Sequence, residues 1–575
     1  MFSKSKILFN SIIFILFLAI SIVFTYPLIL NLNTMVLGAE GDNYYFINQA
    51  WWLNNIISNA SDNGFVTDYY FYPNLINKLN GIHGIFSIFL VAVTSFILPL
   101  ITSYNLAILF LLALTSFSTF LLTQYLVKNN LVSFLTGVMV GFSPFLLSRS
   151  FGHLNLLTFC FVPFFVLYLF KYFDLNKKRY LYLAILFFIL NAYSSWYYLI
   201  FLTLFLLIFL IFKVVVSRKE TFTKQKMINA LIFVVTTTIF ITPLVYLFFF
   251  RKNPSEIVSL LSSIHLSSDV LAYVIPPPFL YISTNFFSKI FLSFKSVNPA
   301  PFYLEQFNFL GYLGIILTLL FFFRTKKTKC DYLWIIIFFI FFILSLGGQV
   351  LLGGQNIILT PYYLIVEFFP ALSILRVPAR LAIFVILATA MMSAVVLAKL
   401  FSFKLFKNKI LLSLLFILLL SIIIFERLPY TMYVYEVPNV SGFYYTMAQD
   451  KEKYAIVEIP YKYLLGSSIY NYHQTIHRKR QSLSRLNYNA MTDQAMEFYL
   501  EHFEYKDYTC NDSHDWESVS AIEKMTWYKE NNIKYIILNK EKIDTDCREM
   551  YNHFTKKYQP YKYFQDQQVT VYKSY

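Results

Sequence analysis

Apolar runs of spanning or near-spanning length alternate with short basic segments over the first 425 residues, and the alternation stops at Glu426. The first run follows MFSKSK and reaches about Leu30. It is too long for a signal-peptide core and no small-residue cleavage site follows it, so it predicts a first membrane span. Further runs lie near 84–100, 105–126, 131–148, 154–170, 180–212 (a tight pair), 228–250, 307–323, 333–347, 380–398 and 410–425. At about 20 apolar residues per crossing they predict a polytopic α-helical membrane protein, about 11–13 spans within residues 1–425.

The basic segments orient these spans. KYFDLNKK (171–178), KVVVSRKETFTKQK (213–226), RTKKTK (324–329) and KLFSFKLFKNK (399–409) belong on the cytoplasmic side, where short loops carry excess Lys and Arg. Loops 31–82, 251–305 and 348–379, and everything after Phe425, then face outward. One count does not close: five apolar segments separate the N-terminus from the basic loop at 171, where an even number is needed. The Gly- and Pro-containing GVMVGFSPFLL (137–147) is the expected exception, a short or re-entrant helix in place of a full crossing. After Glu426 the strand-like runs KYAIVEIP, IKYIILN and QVTVYKSY, set among helical and turn signals, predict a small α/β extracytoplasmic domain over 426–575.

Composition narrows the class. With 58% hydrophobic and 14% charged residues, an ordinary soluble globular protein is excluded. The formal net charge of +16 sits mainly in the loops between spans, so it marks topology and does not call for nucleic acid. Of four cysteines, Cys160 and Cys330 lie in or beside apolar segments, leaving Cys510 and Cys547 in the polar C-terminal region, to pair as a disulfide if that region is outside or to stay free. Their spacing is not that of metal ligands.

Candidate chemistry gathers in the outward loops. LGAEGDNYYFINQAWW (37–52) sets Glu40 and Asp42 beside the bilayer, in a loop that also holds Asp68 and ends near His83. Carboxylates there can take a proton from an acceptor hydroxyl or ligate a divalent cation such as Mg or Mn; the alternative is a solvated loop whose tryptophans and tyrosines form an interfacial belt. SRSFGHLNLL places Arg149 and His153 at a segment end, where a lone His is also a common cap or packing residue. HLSSDVLAYVIPPP carries His265 and Asp269, the latter either a ligand or a helix cap. Glu305 enters the next span from an aromatic stretch, an expensive position for an acid. RVPAR sets Arg376 and Arg380 at the membrane boundary, to clamp a phosphate bidentately or to snorkel toward headgroups.

Taken in order, the acid of EGDNYY, the YP and His of FYPNLINKLNGIHG, the SP and GH between Ser143 and His153, Glu305 with LGYLG, RVPAR, and the tail VEIP…YHQTIHRKRQSLSR resemble the GT-C superfamily of integral-membrane glycosyltransferases, nearest its uncharacterised bacterial and archaeal branch. The resemblance spans nearly the whole chain. It implies a GT-C-like fold in the cytoplasmic (plasma) membrane with the active site outside. It also implies inverting transfer from a polyprenyl-phosphate-linked sugar to a saccharide, lipid or protein acceptor. Asp42 would be the catalytic base or a metal-organising acid, with Glu40, Asp68, His83, His153, Asp269, Glu305, Arg376 and Arg380 binding substrate. A glycine after YPN and a strict Asp-X-Asp are missing, which leaves the shape of the loop near His83 and any metal requirement open. A transporter or flippase for lipid-linked saccharides, or a non-catalytic assembly factor, is the competing expectation. The former would need mid-span polar residues and repeated halves.

Overall fold

The computed structural model describes residues 4–38, 41–58, 66–77, 84–221, 223–249, 266–293, 302–324, 326–362, 377–430, 432–460, 468–482, 520–543 and 547–575. Helices α1 (Lys4–Phe24), α2 (Asp42–Ser58), α3 (Ile85–Thr94), α4 (Leu100–Val127), α5 (Asn130–Gly141), α6 (Pro144–Arg149), α7 (Phe161–Leu175), α8 (Lys178–Ser194), α9 (Trp196–Thr221) and α10 (Lys224–Phe249) come first. They are followed by α11 (Asn285–Ser293), α12 (Tyr312–Phe322), α13 (Lys329–Ser345), α14 (Ala382–Phe401) and α15 (Lys409–Phe425). Six helical stretches among the described residues are long and apolar enough to cross a membrane: Ser5–Phe24, Leu100–Val127, Leu154–Leu175, Trp196–Ser217, Lys224–Tyr246 and Pro378–Phe401. The other expected segments fold as shorter helices, α3, α5, α8, α12, α13 and α15. The expected break in GVMVGFSPFLL falls after Gly141, where α5 ends and Pro144 starts α6 as its first residue. Proline fits there because a first-turn N–H has no helical partner to lose.

Burial separates core from lipid-facing helices. Only 17% of the Ser5–Phe24 stretch is buried within the protein, against 83% of Pro378–Phe401. Packing around α4 and α14 forms the bundle centre, for instance where the rings of Phe341 and Phe384 stack at 4.4 Å. Apolar residues left outside, such as Ile239, Leu414 and Leu418, need hydrocarbon in place of water. The chain is a multi-pass membrane protein.

Beyond α15 lies a five-stranded sheet in the order β10 (Lys562–Gln565), β11 (Val569–Lys573), β9 (Ile533–Asn539), β7 (Ala455–Ile459), β8 (Arg480–Gln481). Strands β9, β7 and β8 run parallel, and β11 joins β9 antiparallel. Helices α16 (Gly442–Gln449), α17 (Ser468–His477), α18 (Ala521–Glu530) and α19 (Arg548–Lys557) accompany the sheet. Both β7 and β9 are buried along their whole length, in keeping with their mainly apolar sequences; Glu458, Lys534 and Asn539 are the polar exceptions. Cys547 is disulfide-bonded, whereas Cys160 and Cys330 are free; Cys510 lies outside the described residues.

The loop between α1 and α3 is tied to this C-terminal region. Its strand β1 (Met35–Leu37) pairs antiparallel with β6 (Val434–Glu436), and Gly38 N donates to Tyr433 O at 2.6 Å. A Cβ on Gly38, whose φ is +93°, would collide with the Phe151 backbone. The loop therefore lies directly on the turn that follows α6.

Candidate active site

Asp42 opens α2 as its first-turn acid, a placement favoured by the positive end of the helix dipole. From Asn43 to Trp52 that helix is buried, so its first turn is held by packing. Asn43 fixes the entry: its Nδ2 donates to Leu37 O at 2.8 Å, and its Oδ1 accepts from the Tyr104 hydroxyl at 2.6 Å. Across from Asp42 is the α6 turn. A Cβ built on Gly152, where φ is +141°, would lie 3.7 Å from the Asp42 Cβ, and only glycine adopts that backbone readily.

The same turn delivers Arg149 and His153, joined by a backbone bond from His153 N to Arg149 O at 2.9 Å. Arg149 is fully buried and pairs through Nη2 with Glu305 Oε2 at 2.8 Å. On its other side, Glu305 Oε1 accepts from Arg380 Nη2 at 2.7 Å and Nε at 3.1 Å. One carboxylate thus sits between two guanidiniums. Rings cover the cations: Arg149 lies 4.6 Å over Phe145 and Arg380 4.5 Å over Tyr197. Burial alone would raise the Glu305 carboxyl, but Arg149 and Arg380 outweigh it and hold it well below the carboxylate range. Burial, reinforced by Arg380 and Arg149, pushes the His153 imidazole down to about 4, while Asp42 is near enough to pull the other way. His153 is accordingly neutral at physiological pH.

Donors remain over in this cluster. Arg149 Nε and Nη1 are buried and meet no hydrogen-bond acceptor among the described residues, and buried His153 Nδ1 has no hydrogen-bond partner among them. Unmatched buried donors are costly. A cluster with spare N–H groups and one net positive charge suits an anion with several oxygens.

Asp42, His153, Glu305 and Arg380 therefore come together around the α6 turn. Arg149 joins them although sequence reasoning kept it out of the site; its one signal was a place four residues before His153. The carboxylates of Asp269 and Asp68 have other partners. Asp269 caps a 3-10 turn, its Oδ1 accepting from Leu271 N and its Oδ2 from Gly354 N, both at 2.8 Å, so its carboxylate is committed to backbone. Asp68 pairs with Arg480 Nε at 2.9 Å, where the loop meets the C-terminal sheet. Glu40, His83 and Arg376, as well as His265, lie outside the described residues. No group of three or more His, Cys, Asp or Glu among the described residues could hold a metal ion.

A family model described as a domain of unknown function, DUF6311, matches residues 85–423. The chain belongs to the DUF6311 family. No curated protein matches it. Solved structures do. The arabinofuranosyltransferase AftD from Mycobacteria superposes with a TM-score of 0.57 at 10% identity, covering 98% of this chain and 40% of AftD. ArnT from Cupriavidus metallidurans, bound to undecaprenyl phosphate, gives 0.50 at 9% identity, covering 100% and 99%. The archaeal oligosaccharyltransferase AglB from Archaeoglobus fulgidus gives 0.46 at 13% identity, covering 93% and 70%. The chain spans less than half of AftD and nearly the full length of ArnT. This DUF6311 protein has the GT-C fold, in agreement with the α-helical membrane architecture and C-terminal sheet expected from its sequence.

Proposed function

We propose that the protein is an inverting glycosyltransferase that moves a sugar from a polyprenyl-phosphate donor to an envelope acceptor on the outer face of the cytoplasmic membrane. In this reading residues 1–425 form the membrane domain and 426–575 an extracytoplasmic domain. The observation that carries the proposal is the buried Arg149–Glu305–Arg380 trio with its unmatched donors, lying beside Asp42. Basic loops on the opposite side support the orientation.

The step assigned to these residues is a single displacement. Asp42 accepts the proton of the acceptor hydroxyl as its oxygen bonds to the anomeric carbon; the bond from that carbon to the lipid phosphate breaks, and the phosphate keeps the electron pair. Arg149 and Arg380 offset the charge that develops on the departing phosphate. Glu305 keeps both guanidiniums aimed, as acids behind cationic ligands do. His153, uncharged, donates or accepts at the phosphate or sugar without adding charge.

The test compares envelope glycans by mass spectrometry in a deletion strain complemented with wild type or Asp42→Asn at matched membrane levels. Loss of one sugar with the variant is expected. Full restoration by the variant would overturn the assignment of Asp42.

A further inference from the structure

The acid-bearing helix is held by a part of the chain more than 400 positions away. Asn48 lies on α2, is fully buried, and donates through Nδ2 to Asn471 O at 2.8 Å and Gln474 Oε1 at 3.1 Å, both on α17. Its Oδ1 accepts from the Tyr70 hydroxyl at 2.8 Å. Gln474, also fully buried, donates through Nε2 to Tyr69 O at 2.7 Å. The backbone continues the pattern: Gln481 N donates to Tyr69 O at 3.0 Å and Tyr72 N to Gln481 O at 3.0 Å, with a parallel bridge between Tyr70 and Gln481. Residues 69–72 thus lengthen the sheet beyond its edge strand β8. Tyr44, two residues after Asp42, stacks on Tyr472 of α17 with ring centroids 5.3 Å apart.

The backing of this contact is rigid. Gln481 Nε2 donates to Glu458 Oε2 at 2.7 Å and to Tyr470 O at 2.9 Å, and Glu458 Oε1 accepts from the Tyr444 hydroxyl at 2.5 Å and lies 2.7 Å from His473 Nδ1. A buried polar network in which Glu458 and the Gln481 Nε2 are both bonded favours one arrangement of the elements that carry it. Here it ties together α17 and β8, the elements that bond to Asn48 and to residues 69–72.

We infer that Asn48 and Gln474 are positioning residues: they make the C-terminal sheet the outer half of the active site, setting where Asp42 stands relative to the Arg149–Arg380 cluster. The inference rests on the proposed glycosyl transfer for its functional meaning. Phosphate binding and acid placement are then separable, because Arg149, Glu305 and Arg380 belong to the membrane part and do not touch Gln474.

Gln474→Ala in the full-length protein tests this, with Arg149→Ala as the reference. Hydrogen exchange reports α2 and β9, binding is measured with undecaprenyl phosphate as the probe, and envelope glycans are measured in complemented cells. Expected for Gln474→Ala is about tenfold faster exchange in 42–58, the scale set by losing one buried hydrogen bond. Exchange in β9 and affinity for undecaprenyl phosphate stay within about twofold, and the sugar product falls at least about tenfold. Asn48→Gln, which keeps an amide at the contact, should restore part of the product relative to Asn48→Ala. Unchanged exchange in α2, or loosened exchange with full product, overturns the positioning role. Loss of probe binding together with faster exchange in β9 also overturns it, since that is general unfolding. Unimpaired probe binding by Arg149→Ala would instead overturn the phosphate assignment and leave the α2 result to be read by itself.

Discussion

Replacing Glu305 by Gln keeps the shape of the side chain and removes the carboxylate that pairs with both Arg149 and Arg380. Glu305 is 4% exposed and Arg149 fully buried, so the loss is not screened by water. Breaking a buried pair of this kind costs roughly 3–5 kcal/mol, mainly because the partner charge is left uncompensated. Two guanidiniums and one carboxylate give the trio one net positive charge; the substitution makes it two. An added unit charge about 6 Å from a phosphate, at an effective dielectric of about 20, contributes roughly 3 kcal/mol, about a hundredfold in affinity. The variant should therefore be less stable alone and bind undecaprenyl phosphate more tightly than wild type. Thermal unfolding of the purified full chain in detergent, with and without that lipid, measures both effects. If Glu305→Gln unfolds like wild type and gains no affinity, Glu305 does not balance the arginines and the anion-site argument fails.

Four further outcomes follow from the same geometry. Asp42→Asn should abolish sugar transfer while leaving the thermal midpoint within a few degrees, since an amide also suits a first helical turn; a large midpoint drop would mean Asp42 is structural. Because His153 is pushed down to about 4, below an unfolded value near 6.5, the unfolded chain binds its proton first as pH falls. Stability from His153 should thus be constant above about pH 6.5 and decline toward about pH 4, and His153→Gln should flatten that part of a midpoint-versus-pH curve. Glu458, whose burial is outweighed by His473 and which is held at about 2, stabilises above an unfolded value near 4.3, and its contribution should be lost as pH falls from there toward about 2. Arg480→Ala, removing a pair that is one-quarter exposed on each side, should cost less than about 1 kcal/mol in the same unfolding assay, whereas Glu458→Gln, which removes the buried charge and sets an amide NH2 against the Gln481 Nε2 donor now bonded to Oε2, should cost about 2–4 kcal/mol.

What could be read from the sequence follows what is local. Apolar run length and basic loops are local, so the helical membrane part was legible, as was the interruption at Gly141 and Pro144. The mainly apolar runs of β7 and β9 also read as strands. Pairings across the chain were not legible. Arg149 reaches the Leu304 carbonyl 155 positions away at 3.4 Å and then Glu305, and nothing near SRSFGHLNLL signals that partner. Asp269 illustrates the reverse: the sequence left ligand and cap open, and the Leu271 and Gly354 amides take both its oxygens. Asp68 shows the same limit, because its partner Arg480 comes from a tail whose docking no local pattern records.

The extension of the C-terminal sheet by residues 69–72 also constrains biogenesis. Nascent chains emerge N-terminus first, so α1 and its following loop leave the ribosome long before β7, β8 and α17 exist. Until the tail is synthesised and folded, Asn48 lacks Asn471 and Gln474, and the Tyr69–Tyr72 backbone lacks the strand it pairs with. The acid and the arginines then acquire their final spacing only at the end of synthesis. On the proposed reading, a chain stalled or cut before Ser468 would keep Arg149, Glu305 and Arg380 and still transfer no sugar.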